Sequence, residues 1–170
     1  GFRAERISGK AIVGGGKTIV EDLHIGDGWS DVNLSSFMMS YRNSEAFAEF
    51  ITDVKLDGQI EQSTLDFTTI SYFAPTLKGN DLRVSLHGNV SGYVDNFSIN
   101  DIYASSEEGG FAGTINGKMT GLPEIEETRL NAEVRRFMLT TEGLGTFVTK
   151  WMQEGELDLS RFAKGTAFSL

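Results

Sequence analysis

Two stretches of this chain, offset by 74 positions (Leu56 to Leu130), carry the same apolar pattern, and that repeat limits the possible folds more than any other feature. Leu56, Gly58, Ile60 and Leu65 recur as Leu130, Ala132, Val134 and Leu139. Ile70, Phe73, Ala74 and Leu77 recur as Leu144, Phe147, Val148 and Trp151. The first four positions of each copy read as a strand that alternates, slips phase once and resumes. The second four fall at i, i+3, i+4 and i+7, one face of a helix about two turns long. Two copies of strand, slip and short helix imply a chain built by stacking similar β units, which favours long surfaces over single pockets.

Twenty glycines against two prolines also point to β-structure. The clearest strand places Leu82, Val84, Leu86, Gly88, Val90, Gly92 and Val94 on one face and Arg83, Ser85, His87, Asn89, Ser91 and Tyr93 on the other. A second places Phe111, Gly113, Ile115, Gly117, Met119 and Gly121 against Ala112, Thr114, Asn116, Lys118 and Thr120. A third sets Leu130, Ala132 and Val134 against Arg129, Asn131, Glu133 and Arg135. Period two with one apolar face predicts antiparallel sheet, wet on one side. Further strands are expected at 4–13, 18–25, 31–41, 55–67 and 97–104, joined by turns at Gly14-Gly15-Gly16, Gly26-Asp27-Gly28 and Glu107-Glu108-Gly109-Gly110. Glycine on the apolar face gives a core no side chain. It must serve curvature, a bulge or the close approach of another backbone or a ligand.

Three short helices should punctuate the strands and plug the ends of the sheet. Ser44–Val54 has Asn43 as N-cap, Glu45 in its first turn, and Phe47, Phe50, Ile51 and Val54 on one face. Thr141 would cap Glu142–Met152. The helix near Thr69–Leu77 is shortened by Pro75, which removes a donor and disfavours helical geometry at Ala74.

Composition excludes several functions. Fifteen Lys and Arg against 24 Asp and Glu give a net charge of −9, and no basic stretch offers the cations that a nucleic-acid backbone requires. Without cysteine there are no disulfides and no thiolate metal sites. No apolar run approaches the roughly 18 residues of a membrane-spanning helix. The chain begins at Gly1 without Met, so the expectation is a piece of a longer protein whose membrane anchor lies outside it.

Chemistry-bearing motifs are sparse. Gly14-Gly15-Gly16-Lys17-Thr18 has the ending of a P-loop, yet Ala11 stands where the first glycine belongs, and β-branched Thr18-Ile19-Val20 follows where a helix should begin. A hairpin turn is the better reading. His24 and His87 are the two histidines, and His87 falls on a wet face. Glu124, Glu126 and Glu127 follow Leu122-Pro123 as a solvated turn, and the segment from Asp95 to Asp101 lacks the glycine of an EF-hand loop. No catalytic residue, metal ligand or cofactor is assigned, and an enzyme is not expected.

What remains is the apolar face. It is either a dry core under a second layer or a groove left open for acyl chains, with the glycines making room. The groove lining would be Leu82, Val84, Leu86, Val90, Phe111, Ile115, Met119, Leu130 and Val134.

The segment 63–77, followed by Leu86-His87-Gly88-Asn89-Val90-Ser91-Gly92-Tyr93-Val94-Asp95-Asn96-Phe97, resembles the β-repeat region of the TamB and AsmA-like envelope proteins of Gram-negative bacteria. There, a strand, a short helix and an F-x-P segment precede an L-x-G-x-V-x-G strand. Residues 113–123 and 137–141 continue in that style, and the likeness covers roughly 30–160. The second repeat departs from it, with Thr149 in place of Pro75 and no clean L-x-G-x-V-x-G strand in 156–170.

The resemblance implies an all-β fold: a long curved antiparallel sheet (a half-pipe) with two or three short helices. The whole chain would form one β-repeat segment with matching units at about 55–80 and 129–154. It further implies a periplasmic location, with inner-membrane anchorage supplied from elsewhere, and a role in outer-membrane biogenesis. The partners would be phospholipid acyl chains or an outer-membrane barrel assembly protein. The alternative is a structural module that binds proteins by pairing at its strand edges.

Overall fold

A computed structural model describes residues 3–72, 78–79, 82–107, 110–122, 124 and 127–140. Eight strands form one open antiparallel sheet in strict chain order: β1 (Arg6–Gly14), β2 (Lys17–Gly26), β3 (Asp31–Ser40), β4 (Lys55–Asp66), β5 (Arg83–Tyr93), β6 (Asn96–Ser106), β7 (Phe111–Thr120) and β8 (Arg129–Leu139). Each strand pairs with its sequence neighbour, leaving β1 and β8 as the free edges among the described residues. All eight expected strands are present, so the alternation read from the sequence was a reliable guide to the elements.

The glycine turns behave as their chemistry requires. Gly14 pairs with Lys17, leaving Gly15 and Gly16 as a two-residue hairpin loop with φ of 59° and 72°. Positive φ at both central positions matches the twist of the flanking strands, and glycine adopts it without Cβ strain. The P-loop lookalike is therefore a hairpin turn.

The first helical segment lies where the sequence pattern places it but is of a different type. Asn43 does cap its segment, its Oδ1 accepting from the Glu45 N–H at 3.1 Å. However, Ser44–Glu49 is a 3₁₀ turn, followed by a single turn of α-helix, α1 (Phe50–Asp53). The expected face does not bury as a unit: Val54 and Ala46 are enclosed, whereas Phe47 and Ile51 are exposed. A 3₁₀ start stacks side chains every three residues and breaks the i, i+4 register on which the expectation rested. α2 (Phe67–Ile70) begins before Thr69 because Asp66 caps it, accepting from the Thr68 N–H at 2.8 Å. The rest of that helix from 73 to 77 and the whole of Glu142–Met152 lie outside the described residues. So does the helical half of the second repeat.

The phase slip of the repeat is real and is more widespread than the repeat showed. Register shifts interrupt six of the seven strand pairs, in a band running across the sheet. In β4 the slip falls between Ile60 and Ser63, and in β8 around Arg136. β2 and β6 slip as well, at Asp22 and Asp101. Asp22, Asp101 and Arg136 all have φ near 50°. A bulge bends its strand and adds right-handed twist, so a line of bulges coils the sheet.

Gly88 sits in this band with φ 145°, and a Cβ there would lie 2.6 Å from the Asp101 carbonyl oxygen and 2.7 Å from the Ile102 Cα. Gly88→Ala should therefore destabilise the protein by about 3 kcal/mol in urea unfolding, from backbone strain plus overpacking. Gly14→Ala, where nothing lies within 4 Å, should stay within about 0.5 kcal/mol.

Candidate functional site

Residues opposite one another in an antiparallel pair share a face, so the register defines the surface without further assumption. One row of paired positions crosses the whole sheet: Val13, Thr18, Met39, Leu56, Gly92, Phe97, Met119 and Leu130. A second runs beside it: Ala11, Val20, Phe37, Gly58, Val90, Ile99, Gly117 and Ala132. Both reach from one free edge to the other. At about 4.8 Å between strands, each row spans roughly 34 Å. On the bulge band they meet a third apolar line containing Leu23, Leu34 and Ile60, continued by Ile102, Ile115 and Val134.

These rows are not a sealed core. Among the described residues only Leu34, Ala46, Val54, Val84, Ile102 and Ala104 are buried apolar side chains. Five of the six lie near the sheet ends or on the bulge band. Met39, Leu56, Phe97, Met119, Val20, Phe37, Val90 and Ile99 all remain half-buried.

The two ends are closed differently. Beside β3 and β4, α1 and the 3₁₀ turn enclose Val54, and the Val94 N–H donates to the Ile51 carbonyl at 3.1 Å. The opposite end is held by a polar latch. Asp27 in the β2–β3 turn accepts from the N–H groups of Ser30 (2.7 Å) and Trp29 (3.0 Å) and from the Thr69 hydroxyl (2.7 Å). The Ser30 hydroxyl donates to Thr69 Oγ1 at 2.6 Å and accepts from the Asp66 N–H at 2.9 Å. Arg83 adds a bond to the Trp29 carbonyl at 3.1 Å and approaches Asp66 (3.5 Å) and Glu107 (3.8 Å). Three separate segments are thereby fixed where α2 leaves β4.

The expected lining residues mostly share the apolar face. Val90, Met119 and Leu130 belong to the two full rows, Ile115 and Val134 pair on the third line, and Leu86 pairs with Ser63 and Ala104. Phe111 pairs with Leu139 at the far end of β7. Two placements differ from the expectation. Val84 is only 8% exposed, so it belongs to the packed end beside Leu65 and Ser106. Leu82 precedes β5, and its carbonyl accepts from the Phe67 N–H at 3.0 Å. Sequence reasoning also missed Phe37, Met39, Phe97 and Ile99, which share the two full rows. The signal was present as alternation in 37–39 and 97–99, but those strands were delimited without assigning their faces.

The glycines do not hold space open. A Cβ at Gly58 would meet Leu34 and Val90 side-chain atoms at 3.0 Å, and one at Gly113 would meet Phe137 at 3.2 Å and Val134 at 3.3 Å. Neighbouring apolar side chains already lie across them. The room they provide lets large residues on adjacent strands flatten onto the sheet.

On the wet face one shallow depression is bordered by Ile19, Met38, Ser36, Asp57, Gln59, Asn89, Ser91 and Asn100, and another by His87, Asp101, Tyr103, Thr114 and Arg136. Asp101 is already engaged, since Asn116 accepts from its N–H at 2.9 Å and donates to its carboxylate at 3.0 Å. His24 pairs with Asp31 at 2.8 Å. No three His, Asp or Glu side chains gather as a metal set among the described residues, and no described helix is long and apolar enough to cross a membrane. The chain matches no known family model, no curated protein and no solved structure.

Burial pulls the Asp27 carboxyl upward, but the hydrogen bonds from Ser30, Thr69 and Trp29 outweigh it and hold the group below its ordinary value of 3.8. A carboxylate with a depressed native pKa stabilises the fold above the unfolded-state value, and that contribution disappears as pH falls through the native value. Asp27→Asn should therefore lower the urea midpoint at pH 7. The gap between variant and parent should close as pH drops below about 4.

Proposed function

We propose that this sheet is a passive conduit for lipid acyl chains, a segment of a periplasmic envelope protein of the TamB and AsmA-like kind that serves outer-membrane biogenesis. The observation that carries this reading is the pair of apolar rows crossing all eight strands, half-exposed along their length and ending at free edges. A domain that needed these side chains only for its own core would cover them with a second layer. Among the described residues the helical elements sit at the sheet ends.

The chemistry required is modest. Each acyl methylene laid against the rows leaves water and gains about 0.8 kcal/mol. Because the rows are continuous, a chain can shift along the surface at little cost. The rows run perpendicular to the strands, so the path leads from edge to edge and can continue into whatever pairs with β1 or β8. Headgroups stay in water at the rim, and no covalent step is involved. The polar and charged side chains of the opposite face keep that side hydrated while this one remains greasy.

Lipid extraction of the purified protein, read by mass spectrometry, tests this. The parent chain should carry phospholipid in stoichiometric amount. Leu86→Glu and Met119→Glu should lose it at least tenfold while keeping the β-type far-ultraviolet spectrum, because a buried carboxylate cannot be left unpaired against hydrocarbon. Asn89→Glu, on the wet face beside Val90, should retain it. A lipid-free parent, or folded Leu86→Glu and Met119→Glu proteins with full lipid content, would refute the conduit.

A further inference from the structure

The two free edges of the sheet differ in how they are protected. β8 bears the features that discourage strand addition: Arg129, Glu133 and Arg135 along its wet side, an internal Arg135–Glu133 pair at 2.9 Å, and the kink at Arg136 with φ 51°. β1 bears none of the bending ones. Its nine residues contain no proline, and the register shift between Ser8 and Lys10 belongs to β2, whose extra residue is Asp22. Every residue of β1 is exposed, including Ile7 (70%) and Val13 (71%) on the apolar face. A nine-residue exposed edge with no proline and no bulge of its own is a ready template for another strand.

The charge along this edge indicates what would bind. Arg6 and Lys10 lie on the wet side of β1 in a chain whose net charge is −9. Lys10 reaches Glu21 at 3.5 Å, but its ammonium end remains 75% exposed, and such a surface pair contributes little. Arg6 has no ion-pair partner among the described residues. Glu21, one strand inward on β2, meets Lys10, while the Glu5 carboxylate lies against Gly28 in the β2–β3 turn.

We propose that β1 is an acceptor edge for an extended polypeptide segment in which apolar residues alternate with acidic ones. Its backbone continues the sheet ladder. Its apolar residues extend the rows that begin at Ala11 and Val13, and its carboxylates lie opposite Arg6 and Lys10. Period-two alternation on the incoming segment is required, since a one-residue slip would place charge on the apolar face. This holds whether or not the apolar rows carry lipid.

The test uses the whole chain and two labelled nine-residue peptides, one alternating valine with glutamate and one alternating valine with lysine. Net charge alone would make an acidic protein prefer the lysine peptide. The edge predicts the reverse: at least tenfold tighter binding of the glutamate peptide by fluorescence anisotropy, with new hydrogen-exchange protection confined to 6–14. The Arg6→Glu/Lys10→Glu protein should invert the preference. Should that variant misfold, Arg6→Gln/Lys10→Gln should abolish it, and backbone N-methylation of the peptide should abolish binding. Preference for the lysine peptide, an unchanged ranking in either variant, protection on β8 instead of β1, or no binding of either peptide would each overturn the proposal.

Discussion

The structure turns on an apolar sheet face that no layer among the described residues covers. In an ordinary β domain two sheets, or a sheet and helices, bury such a face between them. Here the described helical segments amount to a 3₁₀ turn and two single turns, placed at the sheet ends. The side chains between those ends remain half in water. That cost is tolerable because the strands are long and paired along most of their length, and because large residues lie over neighbouring glycines such as Gly58 and Gly113.

The bulges follow from the same constraint. A flat eight-stranded sheet would spread its apolar rows over a plane, whereas bulges add twist and coil it. The price of this coiling is three non-glycine residues in the left-handed region, Asp22, Asp101 and Arg136. Two are aspartates, whose short polar side chains tolerate that conformation better than most. Arg136 has no such excuse, which fits its position on an edge strand where the backbone is least confined. The polar latch around Asp27, Ser30, Asp66 and Thr69 then anchors one end through hydrogen bonds, beside the buried Val84 and Ala104.

Much of this was legible in the sequence, and the failures are specific. Val84, Leu86, Val90, Ile115, Met119 and Val134 alternate cleanly, and register places them on one face as expected. The slip between Ile60 and Leu65, repeated between Val134 and Leu139, marked two bulges correctly. The same reasoning applied to Val20 and Leu23, or to Ile99 and Ile102, would have found two more. Their parity changes just as visibly, but no repeat partner drew attention to them. The extent of the first helical segment was legible but its type was not, because the i, i+3, i+4 pattern cannot distinguish a full α-helix from a 3₁₀ turn that hands over to a single α turn. Val84 looked like lining because alternation reports a face without reporting how near the packed end a residue sits.

By itself the sequence determined the number of strands, their antiparallel sense and which residues point to the greasy side, because strand periodicity is a local property of the backbone. Only the tertiary structure decided that the strands lie in simple chain order, that their apolar positions align into rows reaching both edges, and that one edge has no bulge of its own while the other is kinked. Those outcomes depend on register and on bulges shared between strands. Pairing across the sheet sets both, and no single strand encodes it.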